Sequence, residues 1–72
     1  LGDMAVYAAV VAAGGFTAAA RELGLSKGAV SKAVLRLERH LDTRLLTRST
    51  RHVAPTEAGT ALLAYCEAIR RE

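Results

Sequence analysis

Ser26-Lys27-Gly28-Ala29-Val30-Ser31-Lys32-Ala33-Val34-Leu35-Arg36-Leu37-Glu38-Arg39-His40-Leu41 is the stretch that decides the architecture of this chain. At about 100° per residue, Val30, Ala33, Val34, Leu37 and Leu41 fall within one stripe, as in a helix that buries a single face. Gly28, Ser31, Lys32, Leu35, Arg36 and Arg39 fall on the opposite side. There Lys32 and Arg36 are four residues apart and Arg36 and Arg39 three apart, so like charges adjoin at a cost of about a few tenths of a kcal/mol per pair. A merely solvated face more usually alternates its signs. This one carries no acid, has small residues at its N-terminal end, and would be relieved by an anionic ligand.

Outward from this helix, Ser26 is a good N-cap and Gly24 supplies the left-handed residue that stops a preceding two-turn helix, Thr17 to Leu23. Ala18, Ala19 and Ala20 on that short helix are small enough for another helix to approach closely, and Leu25 should anchor the turn. The result is a helix, a three-residue turn and a second helix. Upstream, Asp3 can cap a first helix whose apolar positions Met4, Tyr7, Val10 and Val11 follow the helical period, with Gly14 and Gly15 ending it and Phe16 dropping into the core. Downstream, Asp42 is a tolerable left-handed stop. Arg44 to Thr47 and His52 to Ala54 then read as two short strands around a basic turn, and Pro55 limits the second strand to an edge. Thr56 caps a last helix, with Glu57 suited to its first turn. That helix sets Ala58, Leu62, Cys66 and Ile69 on one side and leaves Leu63 and Tyr65 surplus to so small a core, which points to a partner helix.

Seventy-two residues, half of them apolar and rich in alanine, make one small, mostly helical domain. Cys66 stands alone, so no internal disulfide is possible and a reducing cytoplasmic compartment suits the chain. No apolar run approaches the roughly 20 residues that cross a bilayer, and no leader pattern opens the sequence. The net charge of +3 is unevenly placed. Residues 27 to 51 hold seven lysines and arginines against two acids, a local charge of +5, while the rest of the chain carries −2. A basic middle between acidic flanks suits a polyanion meeting one face.

Residue by residue, Ser26 and the amides at the helix start can hold a phosphate, or Ser26 is a plain cap. Lys27, Gly28, Ser31 and Lys32 are the candidates for the major groove of DNA. Lys32 can reach guanine O6 or N7, Ser31 a base edge or a phosphate, and Gly28 lets backbone come close. Lys27 and Lys32 can equally touch phosphate alone, the commoner fate of protein–DNA hydrogen bonds. Leu35 can meet a thymine methyl or sit exposed at the rim. Arg36 and Arg39 are placed for backbone contact. Arg48, Ser49, Thr50 and Arg51 form the hairpin tip, with Arg51 suited to phosphate or the minor groove. Glu38, at the border of the core stripe, is expected to pair with Arg44 or Arg48. His40 and His52 have no carboxylate or cysteine at ligand spacing, so neither metal nor triad chemistry is expected.

Phe16-Thr17-Ala18-Ala19-Ala20, Leu23, Leu25-Ser26, Ala29-Val30-Ser31-Lys32, Leu37-Glu38, Leu41, Arg44-Leu45-Leu46, Arg48, Thr50-Arg51 and Thr56-Glu57-Ala58-Gly59, in this order and spacing, resemble the DNA-binding domain of the LysR-type transcriptional regulators. The match spans nearly the whole chain. It implies a winged helix-turn-helix over residues 1–55, with a three-helix core and a short two-stranded wing, and the start of a linker helix over 56–72. The linker helix would pair two protomers, with Ala61, Leu62, Tyr65 and Ile69 at the interface. A C-terminal effector-binding domain would normally follow, so the chain is expected to be an excised N-terminal domain. No cofactor is expected in this domain; a small-molecule effector would bind the missing one. The expected partners are double-stranded DNA carrying an interrupted inverted repeat, a second copy of the chain and, for the intact protein, RNA polymerase, with no membrane. The chain departs from the family pattern at Lys27 and Gly28, where glutamine or serine and then proline or serine are common, which puts base preference in doubt. Asp42 replaces a usual glycine, Pro55 an aliphatic residue, and Gly15 a serine that caps the second helix, so that helix should fray more easily.

The function expected from these features is sequence-specific binding to duplex DNA as a dimer that controls transcription, without catalysis. Two other readings fit parts of the pattern: a helical module that docks another protein, and an architectural binder indifferent to sequence.

Overall fold

Three helices in succession end in the same way, with one left-handed residue and the chain folding back over the last turn. A computed structural model describes residues 2–48 and 53–71, with backbone alone for Arg48, Arg70 and Arg71. The elements are α1 (Asp3–Ala13), α2 (Phe16–Leu23), α3 (Lys27–Leu41), β1 (Leu46–Arg48), β2 (Val53–Pro55) and α4 (Glu57–Arg71). Gly14 ends α1, Gly24 ends α2 and Asp42, at φ 51°, ends α3. At Gly24 the Leu25 N–H donates to the Ala20 carbonyl at 2.9 Å, and at Asp42 the Thr43 N–H donates to the Glu38 carbonyl at 3.0 Å. Each such bond satisfies a carbonyl that the helix itself leaves open. Aspartate tolerates the left-handed region far better than a branched residue does, so Asp42 serves where glycine serves elsewhere.

α1, α2 and α3 pack against one another around a single core. Its members are Val6, Tyr7 and Val10 from α1, Ala19 and Ala20 from α2, Val30, Ala33, Val34 and Leu37 from α3, and Leu45 and Leu46 at the entry to the hairpin. Several positions differ from the sequence pattern. Met4 is exposed and Val6 takes its place, because α1 must face α2 and α3 together and its buried arc is turned by that double contact. Val11 and Phe16 are half-buried, packing on the core rather than inside it. Leu25 is exposed, so the turn is held by backbone bonds and not by its side chain. Leu41 is exposed as well, and Glu38 fills the corresponding place in the buried stripe. Asp3 does not cap α1: Gly2 stands at that position without a side-chain cap, and Asp3 is the first helical residue.

The hairpin pairs Leu46 with Pro55, Thr47 with Ala54 and Arg48 with Val53 in antiparallel register. The second strand runs one residue further than the alternation suggests, to Pro55, with His52 outside the described residues, and the first begins two residues later than expected. The reason is that the Leu45 and Leu46 N–H groups both go to the Glu38 carboxylate, at 2.8 and 3.3 Å, so Arg44 and Leu45 do not enter the ladder. Pro55, with no N–H to offer, sits at the end of its strand, where it can be tolerated.

Thr56 caps α4, its Oγ1 accepting from the Gly59 N–H at 3.0 Å and donating to the Arg44 carbonyl at 2.7 Å. Gly59 is buried where α4 crosses the Tyr7 hydroxyl and the Leu45 carbonyl, both of which a side-chain carbon there would meet. Replacing Gly59 by alanine raises intrinsic helix propensity yet forces these groups apart. Overpacking of this kind typically costs about 1–3 kcal/mol. Gly59→Ala should therefore lower the midpoint of thermal unfolding followed by circular dichroism, and a raised midpoint would contradict this packing.

Candidate nucleic-acid interface

α2, the Gly24-Leu25-Ser26 turn and α3 form the helix-turn-helix, and the buried stripe of α3 fixes which of its residues face outward. Ser26 caps α3, its Oγ accepting from the Ala29 N–H at 3.0 Å. Helix geometry gives the Lys27 and Gly28 N–H groups no intrahelical acceptor, so the start of α3 keeps outward donors and a partial positive charge. Lys27, Gly28, Lys32, Leu35, Arg36 and Arg39 are exposed, and Ser31 is half-buried between them and the core. Gly28 stands in open space: a side-chain carbon there would meet only the Ser26 hydroxyl, 4.0 Å away. Nothing within the fold requires glycine at that position.

The electrostatics of this face are less uniform than its sequence. Arg36 Nε donates to Asp3 Oδ2 at 3.2 Å and Arg36 Nη2 donates to Asp3 Oδ1 at 3.0 Å, a two-bond pair between α3 and the first residue of α1. The Arg36 hydrogen bonds hold the Asp3 carboxyl below the usual carboxylate range, and Asp3 in turn raises the Arg36 guanidinium. Among the described residues, no carboxylate forms an ion pair with Lys27, Lys32 or Arg39. An acid 33 positions away in sequence leaves no periodic signal, which is why the α3 pattern alone does not disclose the pair.

Glu38 does more than pair with arginine. Arg44 Nε lies 3.9 Å from Glu38 Oε2, at the limit of an ion pair, whereas the same oxygen takes the Leu45 and Leu46 N–H groups at shorter range. The Leu45 carbonyl accepts from the Tyr7 hydroxyl at 2.8 Å and from the Thr56 N–H at 3.1 Å. Burial, with a smaller contribution from the Glu38 charge, pushes the Tyr7 phenol above its ordinary range, so it stays protonated and able to donate. α3 and the hairpin are thereby fastened at one point. The remaining expected contacts of the hairpin tip, Ser49, Thr50, Arg51 and the Arg48 side chain, lie outside the described residues.

On α4, Tyr65 and Ile69 are 63% and 55% exposed and Ala61 is exposed, while Leu62 is half-buried against the protein's own core. Leu63, surplus on sequence grounds, also packs partly on the core. With Cys66 and Glu67 it lines a groove whose opposite wall is Met4, Ala5, Ala8, Val11 and Ala12 of α1. No helix among the described residues is long and apolar enough to cross a membrane.

Three packed helices, a two-stranded hairpin and a fourth helix make this a winged helix-turn-helix domain. Residues 1–60 match the family of bacterial regulatory helix-turn-helix proteins of the lysR family, and the chain belongs to that family. It is 46% identical over its whole length to an HTH-type transcriptional regulator of Xanthomonas campestris pv. campestris, covering 21% of that protein. It is 45% identical over 96% of its length to the HTH-type transcriptional activator AaeR of Escherichia coli K12, covering 22% of it. The chain thus spans about a fifth of these relatives. Among solved structures, 96% of the chain superposes on CbnR_DBD in its DNA complex with a TM-score of 0.88 and 33% identity, covering 79% of that chain. The same share superposes on BenM_DBD bound to catB site 1 DNA with a TM-score of 0.89 and 29% identity, covering 74%.

If Glu38 anchors the hairpin, its loss leaves two backbone donors without their acceptor in a buried setting, at about 1–3 kcal/mol for each group left unsatisfied. Glu38→Ala should unfold at markedly lower urea than Glu38→Gln, whose amide oxygen can still accept. Equal loss in the two variants would mean that charge, and not the acceptor, matters here.

Proposed function

We propose that this chain is the DNA-binding part of a LysR-type transcriptional regulator: it grips double-stranded DNA as a homodimer, with α3 in the major groove and the hairpin wing on the backbone or minor groove. The observation that carries this reading is the outward face of α3, where Lys27, Lys32 and Arg39 stand exposed without described acidic partners and Gly28 leaves the helix start open. The likeness to domains solved on DNA supports it.

In this reading Lys32 and Ser31 address base edges or phosphates, and Lys27 and the α3 amides hold a phosphate. Leu35 meets a thymine methyl, Arg39 the backbone, and Arg48, Ser49, Thr50 and Arg51 the flanking phosphates or minor groove. Arg36 shares the face but is committed to Asp3 in the free protein. Ala61, Tyr65 and Ile69, with the outer edge of Leu62, pair the protomers. Their recognition helices then meet successive turns of DNA about 34 Å apart, which calls for an interrupted inverted repeat. The chain itself performs no catalysis and needs no cofactor. The intact protein, with an effector-binding domain beyond this one, works in the cytoplasm and addresses RNA polymerase.

The test is a mobility-shift titration at several salt concentrations on duplexes with and without an inverted repeat. With three or four phosphate contacts per protomer, log K against log[salt] should slope at roughly −5 to −7 for the dimer. Lys32→Ala should relax preference at particular base pairs by about 1–3 kcal/mol if it reads a base, while Arg51→Ala weakens all duplexes alike if it grips phosphate. A slope near zero would instead favour a protein-docking module, and a steep slope without preference an architectural binder.

A further inference from the structure

We infer that Asp3 is a built-in counter-ion of the recognition helix, restraining its sequence-independent grip on DNA by holding Arg36 away from phosphate. The inference rests on the DNA-binding reading above and extends it to a residue outside the helix-turn-helix. Three observations carry it. Arg36 lies on the exposed face of α3, one turn beyond Lys32 and one turn before Arg39, with 62% of its side chain exposed. Its guanidinium spends Nε and one Nη2 hydrogen on the two oxygens of a single carboxylate, at 3.2 and 3.0 Å. That carboxylate belongs to another helix, so the pair is made by the fold and not by neighbours on α3.

The consequence follows from counter-ion release. A free cation that neutralises a phosphate expels one condensed counter-ion from DNA, and this release supplies the salt-dependent part of affinity. Arg36 is already neutralised. If it turned to a phosphate, Asp3 would be left negative beside a polyanion and would recruit a cation from solution, cancelling the gain. Arg36 therefore adds a donor to the face without adding to its net pull. At neutral pH the Asp3 carboxyl, which the hydrogen bonds from Arg36 hold below the ordinary carboxylate range, is ionised and so is the acceptor this geometry requires. The working cations of the helix are then Lys27, Lys32 and Arg39, and its sequence-independent affinity is lower than the charge count implies.

The experiment compares the unaltered chain with Asp3→Asn, Asp3→Ala and the double variant Asp3→Ala/Arg36→Ala on a duplex of arbitrary sequence, between about 50 and 200 mM salt. Circular dichroism checks that all four are equally folded. Both single variants should steepen the slope of log K against log[salt] by about 0.9 per protomer and bind roughly five- to tenfold tighter per protomer near 0.1 M salt. The double variant should return to the original slope. Unmoved slope and affinity in the single variants would overturn the inference, as would tighter binding that persists once Arg36 is also gone. An unaltered chain that binds no duplex at either salt would remove the DNA-binding reading and this inference with it, whereas normal binding with unmoved slopes removes the inference alone.

Discussion

The backbone of Leu45 is where the parts of this domain are tied. Its N–H goes to the Glu38 carboxylate of α3, and its carbonyl receives the Tyr7 hydroxyl of α1 and the Thr56 N–H at the head of α4. Four segments thus meet at the backbone of one buried residue. A backbone group buried without partners is costly, so each of these bonds is obligatory once Leu45 and Leu46 enter the core. The direction in which the hairpin leaves α3, and that in which α4 leaves the hairpin, follow from satisfying the N–H and the carbonyl of this residue. Gly59 belongs to the same knot, since only a residue without a side chain lets α4 close over the Tyr7–Leu45 contact.

Because that knot and the Val30, Ala33, Val34 and Leu37 stripe hold α3 from behind, its other face needs no part in folding. Residues there are released from packing and, Leu35 apart, they are small or basic. Like charges set side by side cost little in a scaffold secured elsewhere. The Asp3–Arg36 pair shows that the face is adjusted as well as charged, with one of its cations balanced from α1 and the others left to solvent.

Much of this was legible in the sequence, for local reasons. The ends of α2 and α3 were readable from Gly24, Ser26 and Asp42, because caps and left-handed stops are decided within a few residues. The outward position of Gly28, Lys32, Leu35, Arg36 and Arg39 followed from the helical period. What could not be read depends on distant partners. The first strand begins later than its alternation suggests because Glu38 takes the N–H groups at its entry, and Met4 and Leu41 lie outside because neighbouring elements decide which arc of a helix is covered. Asp3 looked like a cap and is a counter-ion. Gly59 gave no signal beyond its place in the family pattern, since its constraint comes from Tyr7 and Leu45.

The most direct test of the central claim, that the outward face of α3 is the surface that meets DNA, is a titration of the isotopically labelled chain with a short duplex, following backbone amide resonances. The account predicts that the shifted amides cluster from Ser26 to Arg39 and at the hairpin, and that those lining the groove between α1 and α4 stay in place. Shifts concentrated in that groove, with α3 unmoved, would contradict it.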